Sequence, residues 1–178
     1  MLLARLAILV ALPGCFLTHS DPPCVMTGAD TVIMSWGSDA LHDTTDGSIV
    51  PLVSAPQGGQ IMLIGARTVA TVDRCAVTIN AALRDPANNR VIGLEQRDLV
   101  IGNRGDGWAE PLDWMMLSGL ANLPVCPTTV ATKPIDGNTF QLEVRLSIGS
   151  KVISERTASI VPTCSSSYCH TDCTTGGL

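Results

Sequence analysis

Between Phe140 and Ile148 the chain alternates without a break: Phe140, Leu142, Val144, Leu146 and Ile148 fall on one face, and Gln141, Glu143, Arg145 and Ser147 on the other. A period of two puts successive side chains on opposite sides of a pleated strand, so this stretch predicts a strand with one buried face. Gly149-Ser150 follows at once, a two-residue connection with glycine first as a type II′ turn requires, and residues 151–161 return as the partner strand. A two-stranded hairpin is marginal alone, so the rest of the chain has to supply strands that cover its apolar face.

A second alternating run places Cys75, Val77, Ile79, Ala81 and Leu83 on one face, with Thr78 and Asn80 opposite, and ends in the turn-forming Asp85-Pro86-Ala87-Asn88-Asn89. The spacing points Cys75 toward the core. Residues 91–101 supply another strand, and residues 60–71 one more after the turn Pro56-Gln57-Gly58-Gly59; residues 31–36 and 49–54 are shorter candidates. Residues 110–122 stay open, because Leu112, Met115, Met116 and Leu120 fit one face of a short helix as well as a buried strand. About seven short strands separated by Gly, Pro and Asn turns, with no alternating helices, predict an all-β fold, an antiparallel sandwich. With 46% hydrophobic and 15% charged residues, the chain has the composition of a packed domain.

At the N-terminus a single positive charge, Arg5, precedes an apolar run from Leu6 to Leu12, and then Pro13-Gly14-Cys15. The run is far shorter than the roughly 18 to 20 residues of a membrane span, so it reads as the core of a cleaved export signal. Leu12-Pro13-Gly14-Cys15 resembles the bacterial lipobox, with Leu three residues before the Cys, a small residue just before it, and Pro13 where Ala, Ser or Thr is usual. The resemblance implies cleavage before Cys15, acylation of Cys15 and anchorage to the membrane through that lipid. A secretory signal cut a little later is the alternative, with Cys15 an ordinary thiol. Phe16 is not the Asp that marks inner-membrane retention in many such lipoproteins, so the resemblance implies the outer membrane. The expected organisation is a signal peptide at 1–14, a tether at 15–30, a β-sandwich domain at 31–164 and a Cys-containing tail at 165–178.

Acylation of Cys15 leaves six of the seven cysteines: Cys24, Cys75, Cys126, Cys164, Cys169 and Cys173. An even set in an oxidising compartment predicts disulfides, although sequence alone does not choose among the pairings. Cys126 with Cys164 is the preferred pair, closing a loop of about forty residues around the hairpin, a bridge contributing roughly 3 to 4 kcal/mol. Cys169 with Cys173 would then tie the tail locally, and Cys24 with Cys75 follows by subtraction. The same Cys-rich tail with His170 has the donors of a zinc site, but its spacing matches no named finger, and export favours disulfides over metal.

Two further resemblances concern the domain. Asp136-Gly137-Asn138-Thr139-Phe140-Gln141-Leu142 resembles the corner before strand F of immunoglobulin-like domains, with Phe140 in place of the corner Tyr and Leu142 where antibody domains carry Cys. This implies an immunoglobulin-like sandwich without the usual intersheet bridge. The stretch from Asp46-Gly47 to Pro56-Gln57-Gly58-Gly59-Gln60, with Val125-Cys126-Pro127 and Val161-Pro162-Thr163-Cys164, resembles a family of uncharacterised envelope lipoproteins of myxobacteria and relatives. A His often follows the glycines there, whereas this chain has Ile61 and Met62. The family implies no established activity.

The sequence holds no G-x-S-x-G elbow, H-E-x-x-H or Walker-type loop, which predicts a protein that is not an enzyme and needs no cofactor or metal. His19 falls in the tether, His170 in the tail and His42 in a solvated loop. Arg104-Gly105-Asp106 matches the integrin-binding tripeptide but sits in a stretch that reads as a turn, and Asp43 and Asp46 lack the spacing of an EF-hand loop. Trp36, Trp108 and Trp114 read as core. Loss of the signal moves the formal charge from −5 to −6, which disfavours nucleic acid as a partner. The expectation is therefore a non-enzymatic envelope module that binds an envelope protein or glycan through its loops. The alternatives are an envelope hydrolase built on His42, Asp43 and Asp46, or a metal-handling protein using the tail.

Overall fold

The computed structural model describes residues 24, 30–70 and 74–174 of the protein. The expected signal at 1–14, Cys15, and the tether apart from Cys24 and Asp30 lie outside the described residues. Among the described residues the fold is all-β, with eleven strands where about seven are expected, and one short helix. The strands are β1 (Val32–Gly37), β2 (Ala40–Thr44), β3 (Ile49–Pro51), β4 (Val53–Ser54), β5 (Gln60–Val69), β6 (Cys75–Arg84), β7 (Val91–Asn103), β8 (Trp108–Pro111), β9 (Ala121–Cys126), β10 (Phe140–Ile148) and β11 (Lys151–Thr163). The helix, α1 (Ser167–Thr174), follows β11. The four beyond seven are β2, β8 and β9, each of six residues or fewer, and the one gained because the strand expected at 49–54 is divided into β3 and β4.

The hairpin closes on the expected turn, and a bulge between Leu146 and Ser147 then shifts its register by one residue. Ile148 pairs with Lys151 across Gly149-Ser150, and Phe140 with Ile160 at the far end. Gly149 takes a φ of 56°, as the first central position of a type II′ turn demands. Phe140, Leu142, Val144 and Leu146 are buried. On the other face Glu143 receives Arg84 of β6 at 2.8 Å, and Arg145 reaches Glu155 of β11 at 3.0 Å. β6 lies on the hairpin's other side, with Leu142 opposite Leu83 and Leu146 opposite Ile79, and its inward set from Cys75 to Leu83 is buried as expected.

The sheet follows the order β2-β1-β5-β8-β7-β6-β10-β11-β3, with β4 and β9 both pairing β5. β5 joins its two parts, since Gln60–Ile64 pairs with β9 and Thr68 and Val69 pair with β8. The two parts face each other across the main core, which contains Met62 and Ile64 of β5, Leu123 and Val125 of β9, and Ile79, Leu142 and Ile160 of the opposite part. At Gly93 of β7 the parts meet so closely that a Cβ would fall 1.8 Å from the Pro124 carbonyl oxygen of β9. Only hydrogen fits there.

Among the described residues every ladder is antiparallel except one. β3 runs parallel to β11, with Val50 beside Pro162, because residues 45–48 carry the chain across to β11, where the Gly47 amide donates to the Ser159 carbonyl at 2.7 Å. A smaller apolar cluster of Ile61, Leu63 and Leu120 lies apart from the main core, with Trp36 and Trp114 packed against it. Trp108 is half-buried beneath the guanidinium of Arg67, 4.7 Å from its ring centre. Residues 110–122 are neither a helix nor one strand: they finish β8, turn through a single 3₁₀ turn at Leu117–Gly119 and enter β9.

Pro56-Gln57-Gly58-Gly59 is the expected turn, closed by hydrogen bonds between Ala55 and Gly59 and between Gly58 and Ala55, each 3.0 Å. Its two glycines differ in what surrounds them. Both have positive φ, but a Cβ on Gly58 would meet open space, while one on Gly59 would lie 2.6 Å from the Cys126 carbonyl oxygen. Gly58→Ala is expected to cost about 1 kcal/mol and Gly59→Ala about 2 to 3 kcal/mol, read as the shift in urea midpoint. Equal shifts would mean that the contact with Cys126 yields freely.

Candidate functional site

The end of the fold holding the starts of β5 and β10 and the ends of β6, β9 and β11 collects the chemistry-bearing residues. α1 is held there by its cysteines. It begins because Ser166 caps it: the Ser166 hydroxyl accepts the Cys169 amide at 3.2 Å, and the Ser166 carbonyl accepts the His170 amide at 3.0 Å. Thr171 and Thr174 return their hydroxyls to the carbonyls of Ser167 and His170, four residues back. Cys169 and Cys173, one turn apart, share the inward face and are 2% and 4% exposed.

That face decides the disulfides. Cys126 at the end of β9 pairs with Cys173, Cα–Cα 5.2 Å, and Cys164 just beyond β11 pairs with Cys169, Cα–Cα 5.4 Å. The expected Cys126–Cys164 and Cys169–Cys173 bridges are therefore replaced. Residues four apart on a helix hold their Cβ atoms about 5 to 6 Å apart, whereas a disulfide needs about 3.5 to 4.5 Å, so an intact α1 disfavours a bridge within itself. Cys24–Cys75, with Cα–Cα 5.5 Å, forms as expected.

Side chains complete the attachment. Asp136 accepts the Cys164 amide at 2.8 Å through one oxygen and meets the His170 ring through the other. Gln60, 1% exposed, donates to Asp172 at 3.0 Å, and the Ile135 amide donates to the Cys173 carbonyl at 3.1 Å. Neighbouring Asp85, fully buried at the end of β6, ties the 85–90 turn to the 127–139 loop. Its carboxylate accepts the Thr132 amide at 2.7 Å, the Thr132 hydroxyl at 2.6 Å and the Ala87 amide at 2.9 Å. Burial opposes its ionisation, but these bonds and the charge of Lys133 outweigh it and hold its pKa below the ordinary value.

Two donor sets come together here: the sulfurs of Cys164, Cys169 and Cys173, and the donor atoms of Asp136, Cys164 and His170, each within 4.8 Å of one another. Metal ligation by cysteine needs thiolates, and these sulfurs are engaged in bridges. The other sequence candidates do not converge. His42, on β2, faces the Gly37 carbonyl at 2.8 Å, Asp43 pairs with Arg67, and Asp46 accepts the Ser159 amide at 2.7 Å. Arg104-Gly105-Asp106 turns between β7 and β8, with Arg104 on Glu110 at 3.1 Å and Asp106 accepting the Trp108 amide at 3.0 Å. An open cleft of about 290 Å³ between β1 and β11 is lined by Thr31, Thr44, Thr45, Asp46, Arg156 and Thr157.

Sequence reasoning missed Asp85, Gln60 and Asp136. Asp85 was visible only as a turn residue, and nothing local marked Asp136 and Gln60 as partners of a helix more than thirty and a hundred residues away. Compared with family models, with curated proteins and with solved structures, the chain matches none. Among the described residues no helix is long and apolar enough to cross a membrane.

Proposed function

We propose that the protein is an exported cell-envelope lipoprotein, acylated at Cys15 and held at the outer membrane, whose domain is a non-enzymatic binding or structural module. One observation carries the export reading: all six cysteines after Cys15 are paired, which leaves Cys15 as the odd thiol. Buried bridges persist in an oxidising compartment. An immunoglobulin-like or related sandwich architecture belongs to the same proposal, supported by Phe140 buried at the start of β10 and by two sheet parts packed face to face. The end bearing α1 is the preferred contact surface for an envelope protein or glycan, because its loops are fixed by two disulfides and by Asp85 and so lose little freedom on binding.

Intact mass spectrometry of protein from native membranes, alkylated with and without reductant, tests the anchor. The expected result is a diacyl or triacyl mass on a chain starting at Cys15, with alkylation only after reduction. An unacylated chain, or one with free thiols and stoichiometric zinc or copper, would overturn the reading and favour metal handling by the Cys-rich end.

A further inference from the structure

The sulfurs of Cys164, Cys169 and Cys173 lie within 4.8 Å of one another although they belong to two different bridges, Cys164–Cys169 and Cys126–Cys173. A thiolate released from the first bridge would therefore begin beside a sulfur of the second. We propose that this end of the domain is a thiol–disulfide exchange site, at which a dithiol reduces Cys164–Cys169 and the Cys164 thiolate then passes to Cys173, freeing Cys126. The inference does not depend on the lipid anchor.

The bonds and electrons follow in order. The dithiol attacks at Cys164, which is half-buried, whereas Cys169 is 2% exposed. The Cys164–Cys169 bond breaks, and Cys169 leaves as a thiolate in the first turn of α1, where backbone amides and the helix dipole favour negative charge. The second thiol of the reagent displaces Cys164 from the mixed disulfide. The reagent is thereby oxidised by two electrons to its own disulfide, and the protein bridge is reduced to two thiols.

The Cys164 thiolate then attacks Cys173 Sγ, forming Cys164–Cys173 and expelling Cys126, with no further change in oxidation state. The two protons of the dithiol end on Cys169 and Cys126. Cys164 is the attacking partner because Cys169 lies one turn from Cys173 on α1, where a bridge is strained, while Cys164 lies outside the helix. The substrate class is a dithiol, free or carried by a protein. In the exchanged form α1 stays tied to the end of β11 and lets go of β9, placing a thiol beside the Gly59 turn.

Cys169→Ser leaves Cys164 as a thiol from the outset and removes the need for reductant. Alkylation of the oxidised variant, followed by digestion without reduction, is expected to give two populations. One has alkylated Cys164 with a Cys126–Cys173 peptide, and the other has alkylated Cys126 with a Cys164–Cys173 peptide. Alkylation at Cys164 alone, with Cys126–Cys173 undiminished, overturns the proposal. If the variant does not fold, stepwise dithiol titration of the wild type decides: the Cys126–Cys173 peptide should decline as a Cys164–Cys173 peptide rises. An undiminished Cys126–Cys173 peptide, with no Cys164–Cys173 peptide at any point after the Cys164–Cys169 bridge has been reduced, would overturn the exchange. An intact Cys24–Cys75 peptide verifies throughout that the domain has not been reduced as a whole.

Discussion

Replacing Cys126 and Cys173 together by serine is expected to lower the unfolding free energy by about 4 kcal/mol, among the largest effects available to a substitution in this fold. The bridge spans 47 residues and encloses the 127–139 loop, the β10–β11 hairpin and most of α1, so its removal restores a large loop to the unfolded ensemble. Both cysteines belong to the main core, and two serine hydroxyls there add a desolvation cost. The matching pair Cys164→Ser with Cys169→Ser opens a loop spanning only 5 residues and should cost about 2 kcal/mol by the same chain-entropy reasoning. Urea unfolding separates the two, and the long-loop variant should also show a steeper denaturant dependence because its unfolded chain is less compact. Equal costs would mean that the bridges act through local contacts at α1 and not through the unfolded state.

The contrast between those bridges marks how far the sequence could be read. β6 and β10 were legible because each has one buried face and one polar face, so the period of two survives in the residues themselves. β5 was legible as a strand but not as the joint between two sheet parts. Its first seven residues are all buried, with Met62 and Ile64 in the main core and Ile61 and Leu63 in the smaller cluster, which erases the alternation that would give a facing direction. β9 carries Pro124 inside the strand, a residue that argues against a central strand in a sequence reading. It is tolerated here because the pairing with β5 shifts between Gln60 and Ile61, and Pro124 itself is exposed.

The disulfides divide in the same way. Cys75 could be oriented because it starts an alternating strand, whereas Cys169 and Cys173 sit on a helix of eight residues whose inward face consists of those cysteines. No apolar period announces such a helix. The pairing Cys169–Cys173 looked local in sequence, and it is the helical geometry, set by the Ser166 cap, that turns the two sulfurs toward partners in β9 and beyond β11. The site at this end was thus present in the sequence as a list of residues but not as an arrangement.

Asp85→Ala is expected to cost about 3 kcal/mol at neutral pH, because it strands the amides of Thr132 and Ala87 and removes a buried charge-assisted network. Asp85→Asn keeps acceptor oxygen but no charge, and should recover part of that loss. The pH dependence distinguishes the carboxylate from a merely space-filling side chain. Its folded pKa is depressed, so the wild type gains from Asp85 fully above the unfolded value of about 3.9, and loses that gain as pH falls through the lower folded value. The stability difference between wild type and Asp85→Asn, measured by urea unfolding, should therefore be constant from neutral pH down to about pH 5 and shrink below pH 4. A difference that persists undiminished into that acid range would show that Asp85 acts by shape, and the link between the 85–90 turn and the 127–139 loop would then have to rest on packing alone.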